Sequence, residues 1–157
     1  MRIGFGYDSH RFTDRRPLLL GGVLIPDSPG LEGFSDGDAA AHAVTDALLG
    51  AAALGDIGTH FPPDIEDWRD ADSMDLLGRS VDMIHRSGFR VGNVDLTIIC
   101  EHPRIGPSAL AIRQSLARAL SIEESAVSVK GKSNETMGWE GNREGLAVHA
   151  VALLVAG

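Results

Sequence analysis

The chain has 157 residues, 43% of them hydrophobic and 23% charged, which are ordinary values for one globular domain over residues 1–157. Its formal net charge of −8 argues against nucleic acid as a general partner, and an anionic substrate would need local cations or basic groups. The single cysteine excludes an intrachain disulfide. Since neither a signal peptide nor an apolar run long enough for a bilayer is visible, we expect a cytoplasmic protein without a membrane partner.

The first third of the chain predicts a strand, a hairpin and a helix. Residues 2–9 open with a short apolar run, as a strand does. Within residues 17–26, a Gly-Gly pair separates two apolar segments, which is typical of a two-residue hairpin turn. Residues 39–54 are rich in Ala and Leu and predict a helix that an Asp caps and Gly55 ends.

The remainder of the chain predicts a mixture of helices and strands. We expect helices over 73–87 and 108–120, strands over 90–100, 127–133 and 145–155, and irregular segments over 56–70 and 134–144. This mixture, with at least one hairpin, predicts an α+β fold in which a mixed β-sheet carries helices on one face.

Asp8, His10 and His42 form the first candidate site. Side chains two residues apart on a strand point the same way, so Asp8 and His10 project together from the end of the first strand. One carboxylate and two imidazoles are ligands that zinc takes, and three protein ligands leave a fourth position open, as in catalytic zinc sites. Asp38 or Asp46, on the helix face of His42, would then orient its imidazole by a hydrogen bond. The alternative is a solvated polar stripe.

A second candidate site follows the strand predicted over 127–133. Gly-Lys-Ser at 131–133 resembles the end of a P-loop, but Ala126 stands where that motif needs glycine, so we reject a P-loop. The lysines, the Ser133 hydroxyl and nearby backbone amides can still contact phosphate. Glu135 could hold magnesium or manganese, which carboxylates suit. The alternative is a strand end with a solvated basic pair.

Four blocks of sequence, taken in order, resemble the 2-C-methyl-D-erythritol 2,4-cyclodiphosphate synthases. They are residues 4–12, 35–51, 54–62 and 135–145. The resemblance implies an α+β homotrimer with active sites between neighbouring subunits. It also implies a cyclising lyase of non-mevalonate isoprenoid biosynthesis, which converts 4-diphosphocytidyl-2-C-methyl-D-erythritol 2-phosphate to the cyclic diphosphate and CMP.

The resemblance further implies roles for individual residues. Asp8, His10 and His42 would hold zinc, Glu135 would hold magnesium or manganese, and the Ser133 hydroxyl would be catalytic. The residues implied to contact the substrate are Asp8, Ser9, His10, Ser35, Asp56, Ile57, Gly58, Phe61, Arg104, Lys132, Ser133, Asn134, Glu135 and Trp139.

Several departures from the family pattern matter, and two of them limit what the resemblance implies. Phe34 stands where the family usually has His, so we expect no hydrogen-bonding role there. Asn142-Arg143 stands where an Arg usually comes first, so the resemblance does not extend to an isoprenoid diphosphate ligand in the trimer cavity.

Two other functions are compatible with the candidate residues. A zinc-dependent phosphohydrolase would use water at the open metal position and release phosphate or CMP without closing a ring. A non-catalytic trimeric module would use the metal as a clamp and bind isoprenoid diphosphates.

Overall fold

The computed structural model describes all 157 residues and contains a mixed β-sheet of five strands. The strands are β1 (Arg2–Leu20), β2 (Val23–Leu31), β3 (Phe89–Ile99), β4 (Val127–Lys132) and β5 (Gly145–Ala156). They lie in the order β2-β1-β5-β3-β4, with β3 and β4 parallel and every other pair antiparallel. The α+β fold predicted from the sequence is confirmed.

Three longer helices and two short ones connect the strands. They are α1 (Ala39–Ala52), α2 (Ile57–His60), α3 (Ser73–Arg86), α4 (Ala109–Leu120) and α5 (Gly138–Gly141). None of them combines the length and the apolar character needed to cross a membrane.

Helix α1 packs directly on β1 because glycine removes the side chains at their contact. A Cβ atom at Gly6 would lie 1.9 Å from the Ala43 carbonyl oxygen, and one at Gly4 would lie 2.0 Å from the Ala47 carbonyl oxygen. Only glycine fits so close an approach. This contact sets the position of His42 above the strand that carries Asp8.

The two faces of the sheet differ in burial. The helix face contributes to a core of 31 buried residues, which includes Leu48 of α1, Leu77 of α3 and Leu116 of α4. The opposite face carries exposed apolar side chains on β1 and β5, here called the outer row: Ile3, Phe5, Tyr7 and Val151. The helices therefore cover one face of the sheet only.

Asp38 joins the hairpin to the start of α1. Its buried carboxylate accepts hydrogen bonds from the backbone N–H groups of Gly21 (2.8 Å), Gly22 (2.6 Å) and Ala41 (3.0 Å). Both glycines have positive φ, 58° and 74°, as a type I′ turn requires. The predicted hairpin turn and the predicted Asp cap are both confirmed.

Several boundaries differ from the prediction. The strand predicted over 2–9 continues to Leu20, because β1 pairs with β5 as far as Arg11 and then with β2 from Phe12. Helix α1 ends at Ala52, before Gly55, because Ala53 already adopts the left-handed conformation with φ 59°. The short helices α2 and α5 lie in segments that were predicted to be irregular.

Candidate active site

The side chains of Asp8, His10 and His42 converge at the end of β1. The Asp8 Oδ2 atom lies 2.9 Å from His10 Nε2 and 2.9 Å from His42 Nδ1. The three candidate ligand atoms all lie within 4.8 Å of one another. Strand β1 therefore presents Asp8 and His10 on one side, as predicted, and α1 supplies His42.

The geometry of this cluster fits a metal ion. His10 Nε2 is buried and has no hydrogen-bond partner, because its 2.9 Å contact with Asp8 lacks the angles of a hydrogen bond. Donor atoms around a tetrahedral metal with bonds of about 2.0–2.1 Å lie about 3.3 Å apart, close to the two distances of 2.9 Å from Asp8 Oδ2 to the imidazole nitrogens. A cation bound between the three side chains would satisfy the unpaired nitrogen.

Charge in the cluster keeps Asp8 ionised. Burial raises the pKa of Asp8. The contacts with His10 and His42 and their positive charges lower it by more than burial raises it, so the pKa is about 2. Burial lowers the pKa of His42, but the hydrogen bond and negative charge of Asp8, with the charges of Asp38 and Asp36, raise it overall. A metal ion binding at Nδ1 would therefore compete with a proton on His42.

The other ring nitrogen of His42 contacts two serines. His42 Nε2 lies 2.7 Å from Ser73 Oγ and 3.1 Å from Ser35 Oγ. The Ser73 hydroxyl donates to Asp36 Oδ1, and the Ser73 N–H donates to Asp36 Oδ2 at 3.0 Å. The sequence indicated Ser73 only as the start of a helix, and a contact between residues 31 positions apart leaves no local signal.

The prediction that Asp38 or Asp46 orients His42 was wrong. Both carboxylates are used by backbone groups instead. Asp38 accepts the hairpin and helix N–H groups described above, and Asp46 Oδ1 accepts the N–H of Ile57 at 2.8 Å. Asp46 thereby fixes the start of α2 against α1.

A cavity of about 280 Å³ opens beside the cluster. It brings together residues from four segments: His10, Phe34, Ser35, His42, Ile57, Gly58, Phe61, Pro63, Trp68 and Leu76. Its outer wall is aromatic, with Trp68 edge-on to Phe61 at 5.1 Å. Phe34 makes no hydrogen bond through its ring, which instead lies 4.7 Å beneath the Arg69 guanidinium. Ser35, Ile57, Gly58 and Phe61 thus all line this cavity, and their contact with substrate stays a prediction.

Asp56 lies at the start of α2, beside this cavity. Its Oδ1 atom accepts hydrogen bonds from the N–H and the hydroxyl of Thr59, at 2.8 and 2.7 Å, and these bonds lower its pKa. The carboxylate is exposed to solvent and caps the short helix.

A second cavity, of about 660 Å³, lies at the carboxyl ends of β3 and β4. Its lining residues are Cys100, Glu101, Pro103, Arg104, Ile105, Gly106, Pro107, Gly131, Lys132 and Ser133. The cavity therefore combines two cationic side chains with a hydroxyl, as a phosphate site requires. Burial and the Glu101 charge raise the pKa of the Cys100 thiol to about 11, so it stays protonated and unreactive at neutral pH.

The turn after β4 is held by Glu101, a role that the sequence did not indicate. Glu101 Oε1 accepts the N–H groups of Asn134 (2.8 Å) and Thr136 (3.2 Å). Within this turn, the Ser133 hydroxyl donates to Glu135 Oε1 at 3.0 Å, and Glu135 has a positive φ of 51°. Ser133, Asn134 and Glu135 therefore form one ordered unit.

Ser9 and Trp139 lie outside both cavities. They line a separate, shallow cavity of about 250 Å³ together with His10, Arg11 and Glu144. Within one chain, the structure therefore brings Trp139 beside His10, which also lines the 280 Å³ cavity, but not to the lining of the 660 Å³ cavity.

The two main cavities lie at the same end of the sheet but on different strands. His10 pairs with Leu146, and Ile99 pairs with both Ala147 and Lys132. His10 and Lys132 are thus three strand spacings apart, which is about 14 Å. The cavities share no lining residue.

Comparisons with known proteins agree with this arrangement. The model of the YgbB family matches residues 1–155. The 2-C-methyl-D-erythritol 2,4-cyclodiphosphate synthase of Symbiobacterium thermophilum is 53% identical over 98% of each chain.

Solved structures show the same similarity. The CDP-bound form of a 2C-methyl-D-erythritol-2,4-cyclodiphosphate synthase aligns with a TM-score of 0.90 and 37% identity, over 98% of this chain and 100% of that one. The bifunctional IspDF of Campylobacter jejuni aligns with a TM-score of 0.96 and 38% identity over 99% of this chain, which spans 42% of that longer protein.

Proposed function

This chain belongs to the YgbB family and, within it, to the 2-C-methyl-D-erythritol 2,4-cyclodiphosphate synthases of isoprenoid biosynthesis, and on that premise we propose the reaction it catalyses. It converts 4-diphosphocytidyl-2-C-methyl-D-erythritol 2-phosphate to 2-C-methyl-D-erythritol 2,4-cyclodiphosphate and CMP, as a cyclising phosphorus–oxygen lyase. The observation that carries the proposal is the convergence of Asp8, His10 and His42 beside a cavity, in a chain with this family membership.

The reaction is an intramolecular phosphoryl transfer. An oxygen of the 2-phosphate attacks the β-phosphorus of the same substrate, and the new P–O bond closes the ring. The bond from the β-phosphorus to the bridging oxygen breaks, and that oxygen leaves with its electron pair on CMP. Neither water nor a protein nucleophile is consumed, so the protein acts by positioning and by charge.

Asp8, His10 and His42 would hold zinc, because two imidazoles and a carboxylate are a donor set of this metal. Glu135 would hold magnesium, which carboxylates and phosphates bind together. When bound, the two cations supply positive charge that neutralises the crowded phosphates.

The two cavities suit the two ends of the substrate. The 280 Å³ cavity, with Ser35 beside an apolar wall, suits the methylerythritol phosphate, and Asp56, which caps the helix that begins at the lining residue Ile57, would take a hydroxyl. The 660 Å³ cavity suits the cytidine diphosphate, because Arg104 and Lys132 can pair with phosphates. We assign the Ser133 hydroxyl as the catalytic hydrogen-bond donor, because it lines this cavity next to Lys132.

We further propose a homotrimer with each active site between two subunits. Two observations support it: the two half-sites of one chain lie about 14 Å apart, and the outer row leaves Phe5 61% exposed. An apolar row of this kind on a sheet face is typical of an interface. In such an assembly, Ser9, Asn134 and Trp139 would also border the substrate. Ser9 would do so beside Asp8 and His10, and Asn134 together with Lys132 and Ser133 of the neighbouring subunit. The cytoplasmic location stays a prediction.

Phosphorus NMR of the products tests the reaction. Metal-loaded protein is expected to form CMP and the cyclic diphosphate in equal amounts, without inorganic phosphate, and a chelator should stop both. His42→Ala should abolish turnover. Phosphate, or CMP without a ring, would indicate a phosphohydrolase. Retained metal and substrate binding without turnover would indicate a binding module.

Mixed trimers test the position of the site. His42→Ala and Lys132→Ala subunits should each be inactive alone. Refolded together in equal amounts, they should regain activity at roughly one quarter of the sites, because some interfaces then combine an intact His42 with an intact Lys132. No regained activity, in mixed trimers shown to form, would place the whole site on one chain.

A further inference from the structure

The imidazole of His42 is contacted at both of its nitrogens. Nδ1 lies 2.9 Å from Asp8 Oδ2, and Nε2 lies 2.7 Å from Ser73 Oγ. A neutral imidazole carries one N–H, and only the other nitrogen can offer a lone pair to a metal ion. The partner of Nε2 therefore decides which nitrogen is available.

The single proton of the Ser73 hydroxyl already forms a hydrogen bond with Asp36. It donates to Asp36 Oδ1, and the same carboxylate accepts the N–H of Ser73 and the N–H of Asp38, each at 3.0 Å. An ionised carboxylate accepts hydrogen bonds and donates none. Towards His42, Ser73 Oγ can therefore only accept, so the proton of His42 belongs on Nε2.

We propose that Asp36 and Ser73 are positioning residues that keep the His42 proton on Nε2 and leave the Nδ1 lone pair to the metal ion. This inference rests on the proposed metal site and extends it by two residues. The chain of donors runs from His42 Nε2 to Ser73 Oγ and on to Asp36 Oδ1. It also fixes the plane of the ring, since Ser73 is fully buried and cannot turn away.

Ser35 is the weaker of the two serine contacts. Its Oγ lies 3.1 Å from His42 Nε2 and 3.4 Å from Ser73 Oγ, against 2.7 Å for Ser73 itself. Ser35 also lines the cavity assigned to the substrate, so its hydroxyl is available to a ligand. The lasting partner of Nε2 is therefore Ser73.

Ser73→Ala tests the inference against a matched control on the same helix. Ser80 is also fully buried, but its hydroxyl donates to the Leu76 carbonyl at 2.9 Å, without a contact to His42. Zinc affinity, measured by competition with a chelator, should fall about 10- to 100-fold in Ser73→Ala. It should stay at the parent level in Ser80→Ala, and Ser73→Thr, which keeps the hydroxyl, should restore most of it.

A second readout follows the proton itself. In long-range proton–nitrogen NMR spectra of the zinc-loaded parent, His42 should show a slowly exchanging Nε2–H. This signal should be lost to fast exchange in Ser73→Ala and retained in Ser80→Ala. Parent-like zinc affinity and a parent-like Nε2–H signal in Ser73→Ala would overturn the proposal.

If Ser73→Ala does not fold, the same zinc-affinity and NMR measurements are made on Asp36→Ala. Without the carboxylate, the Ser73 proton is free to turn towards Nε2, so weaker zinc binding is expected, and unchanged affinity with an unchanged signal would overturn the proposal. None of these measurements needs substrate. A parent protein that shows the zinc site and the Nε2–H but makes no cyclic product would refute only the proposed reaction.

Discussion

The Asp8 carboxylate is the centre of the candidate metal site, because both imidazoles contact the same oxygen atom. Its pKa of about 2 results from burial, which raises it, and from the stronger effect of His10 and His42, which lower it. The carboxylate is therefore a charged ligand at any pH at which the protein is expected to work. In the absence of metal, it is also a source of stability.

This pKa predicts a pH-dependent contribution to folding in the metal-free protein. The folded pKa lies below the unfolded value of about 3.9, so the stabilisation is complete above about pH 4 and disappears as the pH falls towards 2. Its size is about 2–3 kcal/mol, because the pKa of Asp8 falls from 3.8 to about 2 and a difference of 1 in pKa corresponds to about 1.4 kcal/mol.

Urea unfolding of the parent and of Asp8→Asn, with chelator present, measures the effect. Asp8→Asn should be less stable at pH 5, and the difference should vanish near pH 2. Asp82→Asn changes an exposed carboxylate that forms no ion pair and controls for the loss of one charge. A difference between the parent and Asp8→Asn that stays constant with pH would contradict the prediction.

For individual residues, the sequence predicted which site residues lie together on one strand. It did not predict contacts between residues on different helices. Asp8 and His10 could be paired because a strand repeats every two residues. Ser73 could not be assigned to His42, because their contact depends on how α3 packs against α1. Asp38 was wrongly predicted to orient His42, because a position on a helical face does not show that backbone N–H groups already donate to the carboxylate.

At the scale of elements, the close approach of α1 to β1 decides the geometry of the site. His42 is one residue before Ala43, whose carbonyl oxygen would lie 1.9 Å from a Cβ atom at Gly6. A side chain at Gly6 must therefore push α1 away from the strand that carries Asp8. The metal cluster and the sheet–helix packing thus depend on the same glycine.

Gly6→Ala is expected to lose stability and metal affinity together. The clash is with backbone, so we expect a cost of about 1–3 kcal/mol or more. Gly50→Ala is the matched control, because Gly50 lies within α1 with open space at its Cβ position and should gain up to about 1 kcal/mol. Thermal unfolding and zinc titration of both variants check this. Parent-like zinc affinity in Gly6→Ala would contradict the role given to the contact.

Helices could be predicted from the sequence where they are long enough to show a helical composition and capping residues. Helices α1, α3 and α4 have 12 to 14 residues, enough to show a helical composition and caps. Helices α2 and α5 have four residues each, which is too short for a period to appear. The continuation of β1 through residues 10–16, which joins the first predicted strand to the hairpin, was missed because the change of partner from β5 to β2 is a property of the sheet.

At the scale of the whole molecule, the outer row is the feature that a single chain leaves unexplained. Phe5, Ile3 and Tyr7 point away from the core on consecutive outward positions of β1 and remain 61%, 74% and 44% exposed. A row of large apolar side chains facing water is costly, at about 25 cal/mol for each Å². The proposed trimer would bury it.

Phe5→Glu is therefore expected to dissociate the trimer and to stop formation of the cyclic diphosphate, while zinc binding persists because its three ligands belong to one chain. Sedimentation velocity gives the assembly state. Leu24→Glu, at a similarly exposed position (59%) on the edge strand β2, should leave the assembly intact. A Phe5→Glu protein that remains trimeric and active would place the interface elsewhere.

The carboxylate of Asp38 has a consequence for the timescale on which the hairpin opens. Amide hydrogens in a two-residue turn ordinarily exchange with solvent through small local fluctuations, but those of Gly21 and Gly22 are bonded to a buried side chain at the start of α1. We expect both amides to exchange in deuterated water as slowly as core amides, through global unfolding, and to become fast in Asp38→Ala. The tip of the hairpin would then report the stability of the whole core.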